Sequence, residues 1–209
     1  MPYGKILMAL ATALSLAGCA TDRPDADAQA GSATAALATA EQGPEASKDA
    51  AANIAAIDMT DYMDKEEQDI HQALSGELQH KALEIERLQD NSLKLSLNNE
   101  GSFAINKATV KPALKSILDK LAAVLTQYNL TAVDVIGYTD SSGSPAHNLE
   151  LSQQRAQAVM NEMSSHGVPE ARLHEEGRGD KDPRASNDTE AGRRLNRRVE
   201  IYVKPTPAG

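Results

Sequence analysis

The sequence predicts an α/β fold, more closely an α+β sandwich in which a mixed sheet packs on helices. Beyond Gly101, helical apolar periodicities alternate with short apolar runs that are typical of strands. The 209 residues are 41% hydrophobic and only 3% aromatic, which predicts one modest domain with an aliphatic core. Because strands and helices alternate, we expect one sheet covered by helices, with parallel pairs joined by right-handed crossovers.

The formal charge of -9 lies entirely in the first half of the chain. Residues 1–99 contain 7 Lys+Arg and 16 Asp+Glu, whereas residues 100–209 contain 14 of each. A neutral second half offers no basic surface to phosphate groups, so we expect no nucleic-acid partner. The chain has a single cysteine, which excludes an internal disulfide.

The N-terminus has the pattern of a secreted lipoprotein. An apolar run from Ile6 to Leu16 is much shorter than the roughly 20 residues of a membrane-spanning helix, which favours a signal peptide over an anchor. The next residues, LAGC ending at Cys19, resemble the bacterial lipobox. This resemblance implies a signal peptide over residues 1–18 and acyl chains on Cys19. Neither Ala20 nor Thr21 is the aspartate associated with inner-membrane retention, which indicates the outer membrane.

Residues 19–57 are predicted to form a flexible tether. From residue 20 the segment is rich in Ala, Asp, Gly, Ser and Pro and nearly free of large apolar residues, so it cannot offset the entropy of ordering. As a flexible coil it would span about 35 Å. Its alanine content also allows transient helix.

Residues 58–90 are predicted to form a short helix followed by a hairpin region. Met63, Ile70 and Leu74 form a narrow stripe on a helix over residues 60–75, which Gly76 would end. Two runs of alternating apolar residues flank Asp90-Asn91 and predict the hairpin: Leu83, Ile85, Leu93, Leu95 and Leu97.

The segment 91–205 is predicted to form the main domain. Pro112 opens a helix whose apolar residues recur every three or four positions through Tyr128. The strand AVDVIGYT, a second helix, the strand RLHEEG, a short helix and the strand RVEIYV follow. Asn187 with Glu190 three residues later is similar to a capping box for the short helix.

The second helix raises a question of chemistry. Ser144 and Pro145 are typical of a helix start, and winding the helix places Leu149, Leu151, Ala156, Val159 and Met163 on one side. Asn148, Ser152 and Arg155 fall in the middle of that inward face. An arginine rarely occupies such a position without a partner.

Asp140 follows the strand that precedes this helix, where α/β folds commonly bind ligands. Two interpretations remain open from the spacing. Asp140 and Arg155 could line a pocket, or they could form a buried pair that tethers the loop to the helix.

The motifs GYTDSSGSPAHNLELSQQRAQAV and ASNDTEAGRRLNRRVEI resemble the OmpA-like C-terminal domain family, over about residues 93–203. The resemblance implies a βαβαβ(α)β mixed sheet and non-covalent peptidoglycan binding. The helix upstream of the domain is similar to the lipoprotein branch of the family. Tyr138 departs from the family, many of whose members have histidine there at the pocket rim.

The resemblance also implies a ligand, the meso-diaminopimelate of peptidoglycan stem peptides, whose free end carries an ammonium and a carboxylate on one carbon. Asp140 would accept from the ammonium and Arg155 would form a two-pronged contact with the carboxylate. Other positions that match family site residues, or that would add hydroxyls, are Asn106, Thr139, Asn148, Ser152 and Arg197.

The sequence also bears on two other functions. An enzyme is not expected, because the chain lacks a GxSxG elbow, an HExxH motif and paired His/Cys spacing, so neither a metal nor a cofactor is predicted. The alternative function is that of a periplasmic signalling lipoprotein whose residues 60–76 sequester a partner protein. The main prediction is a lipid-anchored outer-membrane protein whose periplasmic domain holds the cell wall.

Overall fold

The computed structural model describes residues 58–104 and 106–206. The predicted signal peptide, the lipidation site Cys19 and the predicted tether up to residue 57 lie outside these ranges. In the described ranges, none of the helices combines the length and the apolar character that crossing a membrane requires.

The first helix, α1 (Met59–Ala73), packs on its own domain. The three residues of the predicted stripe are fully buried: Met63, Ile70 and Leu74. They join one core cluster with side chains from the sheet and the later helices. The stripe is therefore covered by this chain and offers no surface to a partner protein.

The prediction that Gly76 ends this helix is wrong. Helix α1 ends at Ala73, and Gly76 lies inside a second short helix, α2 (Ser75–Gln79). Leu74 is the C-cap between them, and its N–H bonds to carbonyls of α1. The break comes before the glycine because the chain turns at Leu74 while its side chain stays in the core.

The predicted hairpin is confirmed. Strands β1 (Leu83–Arg87) and β2 (Leu93–Asn98) pair antiparallel, with Ile85 opposite Leu95. The turn between them has Asn91 in the left-handed region, at a φ of 64°, which asparagine tolerates better than most residues. Residues 58–90 thus share both the core and the sheet of the rest of the domain.

The remaining strands and the three later helices follow the predicted order along the chain, and two short elements, the helix that directly follows β2 and a 3-10 turn, were not predicted. Together these elements are α3 (Asn99–Ser102), α4 (Pro112–Leu125), β3 (Thr131–Gly137), α5 (Pro145–Ser165), a 3-10 turn (Glu170–Arg172), β4 (Leu173–Gly177), α6 (Glu190–Asn196) and β5 (Arg198–Pro205). The N-cap predicted for α6 is wrong: the hydroxyl of Thr189, and not Asn187, accepts from the N–H of Gly192 at 3.1 Å. The amide of Asn187 is engaged elsewhere, by Asn196 and the N–H of Ser141.

Within the described ranges, five strands form one mixed sheet in the order β1-β2-β5-β3-β4. Only β3 and β4 pair in parallel, and α5 connects them. Alternate residues of a strand point to opposite faces, so Val199, Ile201 and Val203 of β5 join the core while Arg198 and Glu200 lie on the other face. This arrangement confirms the predicted class, a mixed sheet packed on helices.

Helix α5 lies unusually close to the sheet. Gly137 and Gly177 face each other across the parallel pair. A Cβ on Gly137 would lie 2.2 Å from the carbonyl oxygen of Ser152, and one on Gly177 would lie 2.3 Å from the backbone nitrogen of Gln153. Only glycine permits this approach, which fixes the height of α5 above the carboxyl ends of β3 and β4.

Candidate functional site

A cavity of about 620 Å³ opens beyond the carboxyl end of β3. Its walls come from the segment between α3 and α4, the loop after β3, helix α5 and the residue after α6. Six of the seven residues predicted for the site line it: Asn106, Thr139, Asp140, Asn148, Arg155 and Arg197.

Ser152 does not reach the cavity, contrary to the prediction that its hydroxyl joins the site. It is fully buried, where its hydroxyl donates to the carbonyl of Leu149 at 2.8 Å and accepts from the N–H of Gly179 at 2.9 Å. Because α5 passes so close to the sheet at this point, Ser152 joins the helix to the loop after β4.

The inward face of α5 is centred on Asn148, Ser152 and Arg155, all of which are buried. Leu149 was predicted to share that face, but its side chain is 48% exposed. It lies about 100° around the helix from Asn148, and this rotation turns it towards solvent. Asn148 holds the preceding loop, since its amide donates to the carbonyl of Asp140 at 3.2 Å.

Asp140 forms its ion pair with Arg197 and not with Arg155. Its Oδ2 accepts from Nη1 of Arg197 at 2.6 Å, and its Oδ1 accepts from the N–H of Ser142 at 2.8 Å. Burial raises the pKa of Asp140, but the bonds from Arg197 and Ser142 outweigh it and hold the pKa below the ordinary value of 3.8. The carboxylate is therefore ionised in the free domain.

Arg155 is only 3% exposed, and no carboxylate of residues 58–104 or 106–206 forms an ion pair with it. Its Nε donates to the carbonyl of Lys107 at 3.2 Å, and its guanidinium carbon lies 5.3 Å from the ring centre of Phe103. The described residues provide no hydrogen bond to its Nη1 or Nη2. Burial, and then the charge of Arg197, lower the pKa of Arg155 to about 10, so it is still charged at neutral pH.

Two further predicted residues differ in their surroundings. Thr139 is 5% exposed, and its hydroxyl has no hydrogen-bond partner in the described part of the chain although it lines the cavity. A buried hydroxyl without a partner is costly, which makes it a ready contact for a ligand. Asn106 is exposed, in the left-handed region at a φ of 53°, at the mouth of the cavity.

Tyr138 faces away from the cavity, so its departure from the family does not alter the pocket rim. Its ring lies under Arg198, whose guanidinium carbon is 3.7 Å from the ring centre. Both residues are on the sheet face opposite the core, because they alternate with core residues along β3 and β5.

Three contributors to the site were missed by the sequence reasoning. Phe103 and the carbonyl of Lys107 hold Arg155, and Glu190 accepts from Nη2 of Arg197 at 2.9 Å. Phe103 is the only phenylalanine in the chain, which was an available signal. Every residue has a backbone carbonyl, so the sequence gives no indication that the carbonyl of Lys107 accepts from Arg155.

Comparison with known proteins finds relatives of this chain. Residues 102–197 match the model of the OmpA family. The Escherichia coli (strain K12) protein named probable lipoprotein YiaD is 40% identical over 144 residues, which are 69% of this chain and 64% of that protein. Outer membrane protein A of Bordetella avium is 38% identical over 110 residues, which are 53% of this chain and 57% of that protein. The chain thus spans less than two thirds of the length of either relative.

Solved structures support the same assignment. The cell wall anchor of the T6SS from Pseudomonas aeruginosa is 28% identical, with a TM-score of 0.59 over 65% of this chain and 96% of that one. The periplasmic domain of Helicobacter pylori MotB is 22% identical, with a TM-score of 0.54 over 60% of this chain and 80% of that one, and it shows the fold alone. Residues 102–197 of this chain form a domain of the OmpA family.

Proposed function

We propose that the domain binds peptidoglycan non-covalently by recognising the meso-diaminopimelate of its stem peptides. The observation that carries the proposal is the open guanidinium fork of Arg155, buried beside an ionised Asp140. A buried cation without a carboxylate partner is unfavourable unless a ligand supplies one. The similarity to a protein described as a cell wall anchor supports the same ligand class.

The contacts of Arg155 suit a carboxylate. Because Nε is bonded to Lys107, the remaining Nη1 and Nη2 are left to meet the two oxygens of a carboxylate end-on. Asp140 would accept from the ammonium on the same carbon, and the free hydroxyl of Thr139 would add a polar contact. Asn106, Asn148 and Arg197 would complete the walls around the ligand.

The test is a binding assay with purified peptidoglycan. Asp140→Asn and Arg155→Lys keep most of the side-chain volume and should each weaken binding by about tenfold or more, because a ligand charge is left desolvated and unpaired. Matched controls are Asp134→Asn and Arg178→Lys, whose side chains line the second cavity and not this one. Wild-type binding by the two folded site variants would refute the proposal.

A second arm changes the ligand. Stem peptides with lysine in place of diaminopimelate keep the ammonium but lack the neighbouring carboxylate. They should bind weakly and be nearly indifferent to Arg155→Lys. Strong binding of lysine-type peptidoglycan would show that Arg155 does not select the ligand through its carboxylate.

We further propose that Cys19 is lipidated and anchors the domain in the outer membrane, so that the protein tethers this membrane to the cell wall. Multiple acyl chains give stable anchoring, at about 0.8 kcal/mol per buried methylene. Cys19→Ser should release the protein into the soluble periplasmic fraction. Retention of this variant in the outer membrane after a salt wash would contradict the anchor.

The tether predicted for residues 19–57 should provide reach. Deleting most of residues 20–57 should leave the affinity of the purified domain for peptidoglycan unchanged and weaken wall attachment in cells. An equal loss in both assays would mean that the segment belongs to the binding domain.

A further inference from the structure

Arg197 lies between two carboxylates at the edge of the cavity. Its Nη1 donates to Oδ2 of Asp140 at 2.6 Å, and its Nη2 donates to Oε1 of Glu190 at 2.9 Å. Asp140 is 6% exposed, whereas the side chain of Glu190 is 53% exposed. One guanidinium thus joins a residue inside the site to a residue outside it.

This arrangement makes the two halves of the site unequal before any ligand binds. The fork of Arg155 is open to a ligand carboxylate, but Asp140 already has a cation as its partner. A ligand ammonium that approaches Asp140 would meet the positive charge of Arg197 at short range. Because like charges repel at short range, the ammonium would bind best if the guanidinium gave up its bond to Asp140.

Glu190 is placed to keep hold of that guanidinium. It is the first residue of α6, which Thr189 caps, and its other oxygen accepts from Nε of Arg193 at 3.0 Å. The bonds from Arg197 and Arg193 lower the pKa of Glu190, so it is ionised at neutral pH. When Arg197 leaves Asp140, it can retain its bond to Glu190.

We propose that Arg197 is an exchangeable counter-ion of Asp140, and that Glu190 is the positioning residue that retains it when a ligand ammonium takes its place. The inference rests on the proposed function and extends it. Glu190 does not line the cavity, yet it would set how strongly the site favours ligands that carry an ammonium over ligands that carry only the carboxylate.

The test compares two stem tripeptides, one with meso-diaminopimelate and one with 2-aminopimelate, which keeps the distal carboxylate and lacks the ammonium. In Glu190→Gln, Arg197 has only Asp140 as a charged acceptor, so it should compete more strongly with the ammonium. We expect the affinity for the diaminopimelate peptide to fall about two- to fivefold, as suits an exposed ion pair, and that for the aminopimelate peptide to stay unchanged.

Two control variants accompany this measurement. Glu176→Gln removes an exposed carboxylate that bonds Arg178 on the other side of the sheet, and it should change neither affinity. Arg193→Gln removes the second cation that bonds Glu190 and leaves Glu190 charged. The affinity for the diaminopimelate peptide, divided by that for the aminopimelate peptide, should therefore stay at or above the wild-type value.

The outcomes separate the two proposals. If the wild type binds the diaminopimelate peptide but Glu190→Gln leaves the ratio unchanged, or weakens both peptides equally, the exchange of Arg197 is refuted and the binding function stands. If the wild type binds neither peptide, the proposed function fails, and the inference fails with it.

Discussion

Arg155 and Arg172 are two arginines whose pKa values are both lowered by burial, yet their surroundings differ. Arg172 is half-buried and has a partner on each nitrogen: Nε bonds the carbonyl of Thr131 at 2.7 Å, Nη1 that of Leu125 at 2.8 Å, and Nη2 the Thr131 hydroxyl at 2.9 Å. Arg155 is more deeply buried, and in the part of the chain that the structure describes it bonds only through Nε, to Lys107.

The surroundings of Arg172 are architectural. The same Thr131 hydroxyl donates to Oε1 of Glu66 at 3.2 Å, which ties helix α1 to the start of β3. Every nitrogen of the Arg172 guanidinium has a partner within the fold, whereas Nη1 and Nη2 of Arg155 have no hydrogen-bond partner among the described residues. Buried polar groups in stable folds normally have hydrogen-bond partners. The guanidinium of Arg172, which has them, therefore indicates a role in stability, and that of Arg155, whose Nη groups lack them, indicates a role in function.

Replacing Arg172 should have the largest effect on stability. Arg172→Ala leaves the carbonyls of Leu125 and Thr131 without these bonds and removes a positive charge near the buried carboxyl of Glu66, which should cost about 2–4 kcal/mol of unfolding free energy. Urea unfolding measures this loss, and peptidoglycan binding should decline only as the protein unfolds. Arg178→Ala removes a half-buried arginine paired with the exposed Glu176, and it should cost less than about 1 kcal/mol. If Arg172→Ala and Arg178→Ala lose the same unfolding free energy, Arg172 has no special role in the stability of the fold.

Arg155 should show the reverse pattern. Arg155→Met keeps the packing on Phe103 and gives up one bond to a backbone carbonyl, but it also removes a buried charge that has no carboxylate partner among the described residues, so the unfolding free energy should change by less than about 1 kcal/mol or rise. Affinity for peptidoglycan should fall about tenfold or more, which corresponds to at least about 1.4 kcal/mol. Paired urea and binding measurements test both parts. A stability loss as large as that of Arg172→Ala would abolish the contrast between the two arginines.

The ion pairs of the site show where sequence reasoning stops. Periodicity and turn residues predicted the order of the strands and of the larger helices along the chain. The family motifs and the inward face of the helix predicted six residues that line the cavity. The pairing of Asp140 with Arg197 was not predicted, because the two are 57 positions apart and meet only through the antiparallel pairing of β3 with β5. The Asp140/Arg155 pair was suggested by proximity in sequence, which is a weaker guide than the sheet.

The burial of helix α1 was similarly hidden. Its apolar stripe predicted a partner surface and left open whether that surface belonged to the same chain. Glu66, also fully buried on this helix, carries no such signal, because a glutamate in a polar helix normally faces solvent. Its pairing with Thr131 depends on how α1 docks near the start of β3, which no local pattern encodes.

Glu66 should make the unfolding free energy of the domain larger in acid than at neutral pH, with the change between pH 4.5 and about pH 7. Burial raises the pKa of Glu66 to about 7 from 4.5, so the folded carboxyl binds a proton that the unfolded one has released. The stability that this group contributes is present below pH 4.5 and is lost as the pH rises to about 7.

Glu66→Gln removes this titration and keeps a polar partner for Thr131. It should raise the unfolding free energy at pH 8 by about 1–2 kcal/mol relative to wild type, as measured by urea unfolding. Glu77→Gln is the matched control with the opposite sign, because the bond from Lys120 lowers the pKa of Glu77. Stabilisation by the Glu77 variant, or none by the Glu66 variant, would contradict the assignment.

Asp140 should show the smallest effect on stability, with a pH dependence opposite to that of Glu66. Its folded pKa lies below 3.8, so its contribution is present above that value and is lost as the pH falls through the folded pKa. In Asp140→Asn the amide oxygen can still accept a hydrogen bond and Arg197 keeps its bond to Glu190, so the stability change should stay under about 1 kcal/mol at neutral pH. Binding is the sensitive measurement: wild-type affinity for the diaminopimelate peptide should hold from pH 7 down to about pH 4 and then fall as Asp140 protonates. The Asn variant should bind weakly throughout this range, and a wild-type affinity that is lost well above pH 4 would show that another group controls the ammonium contact.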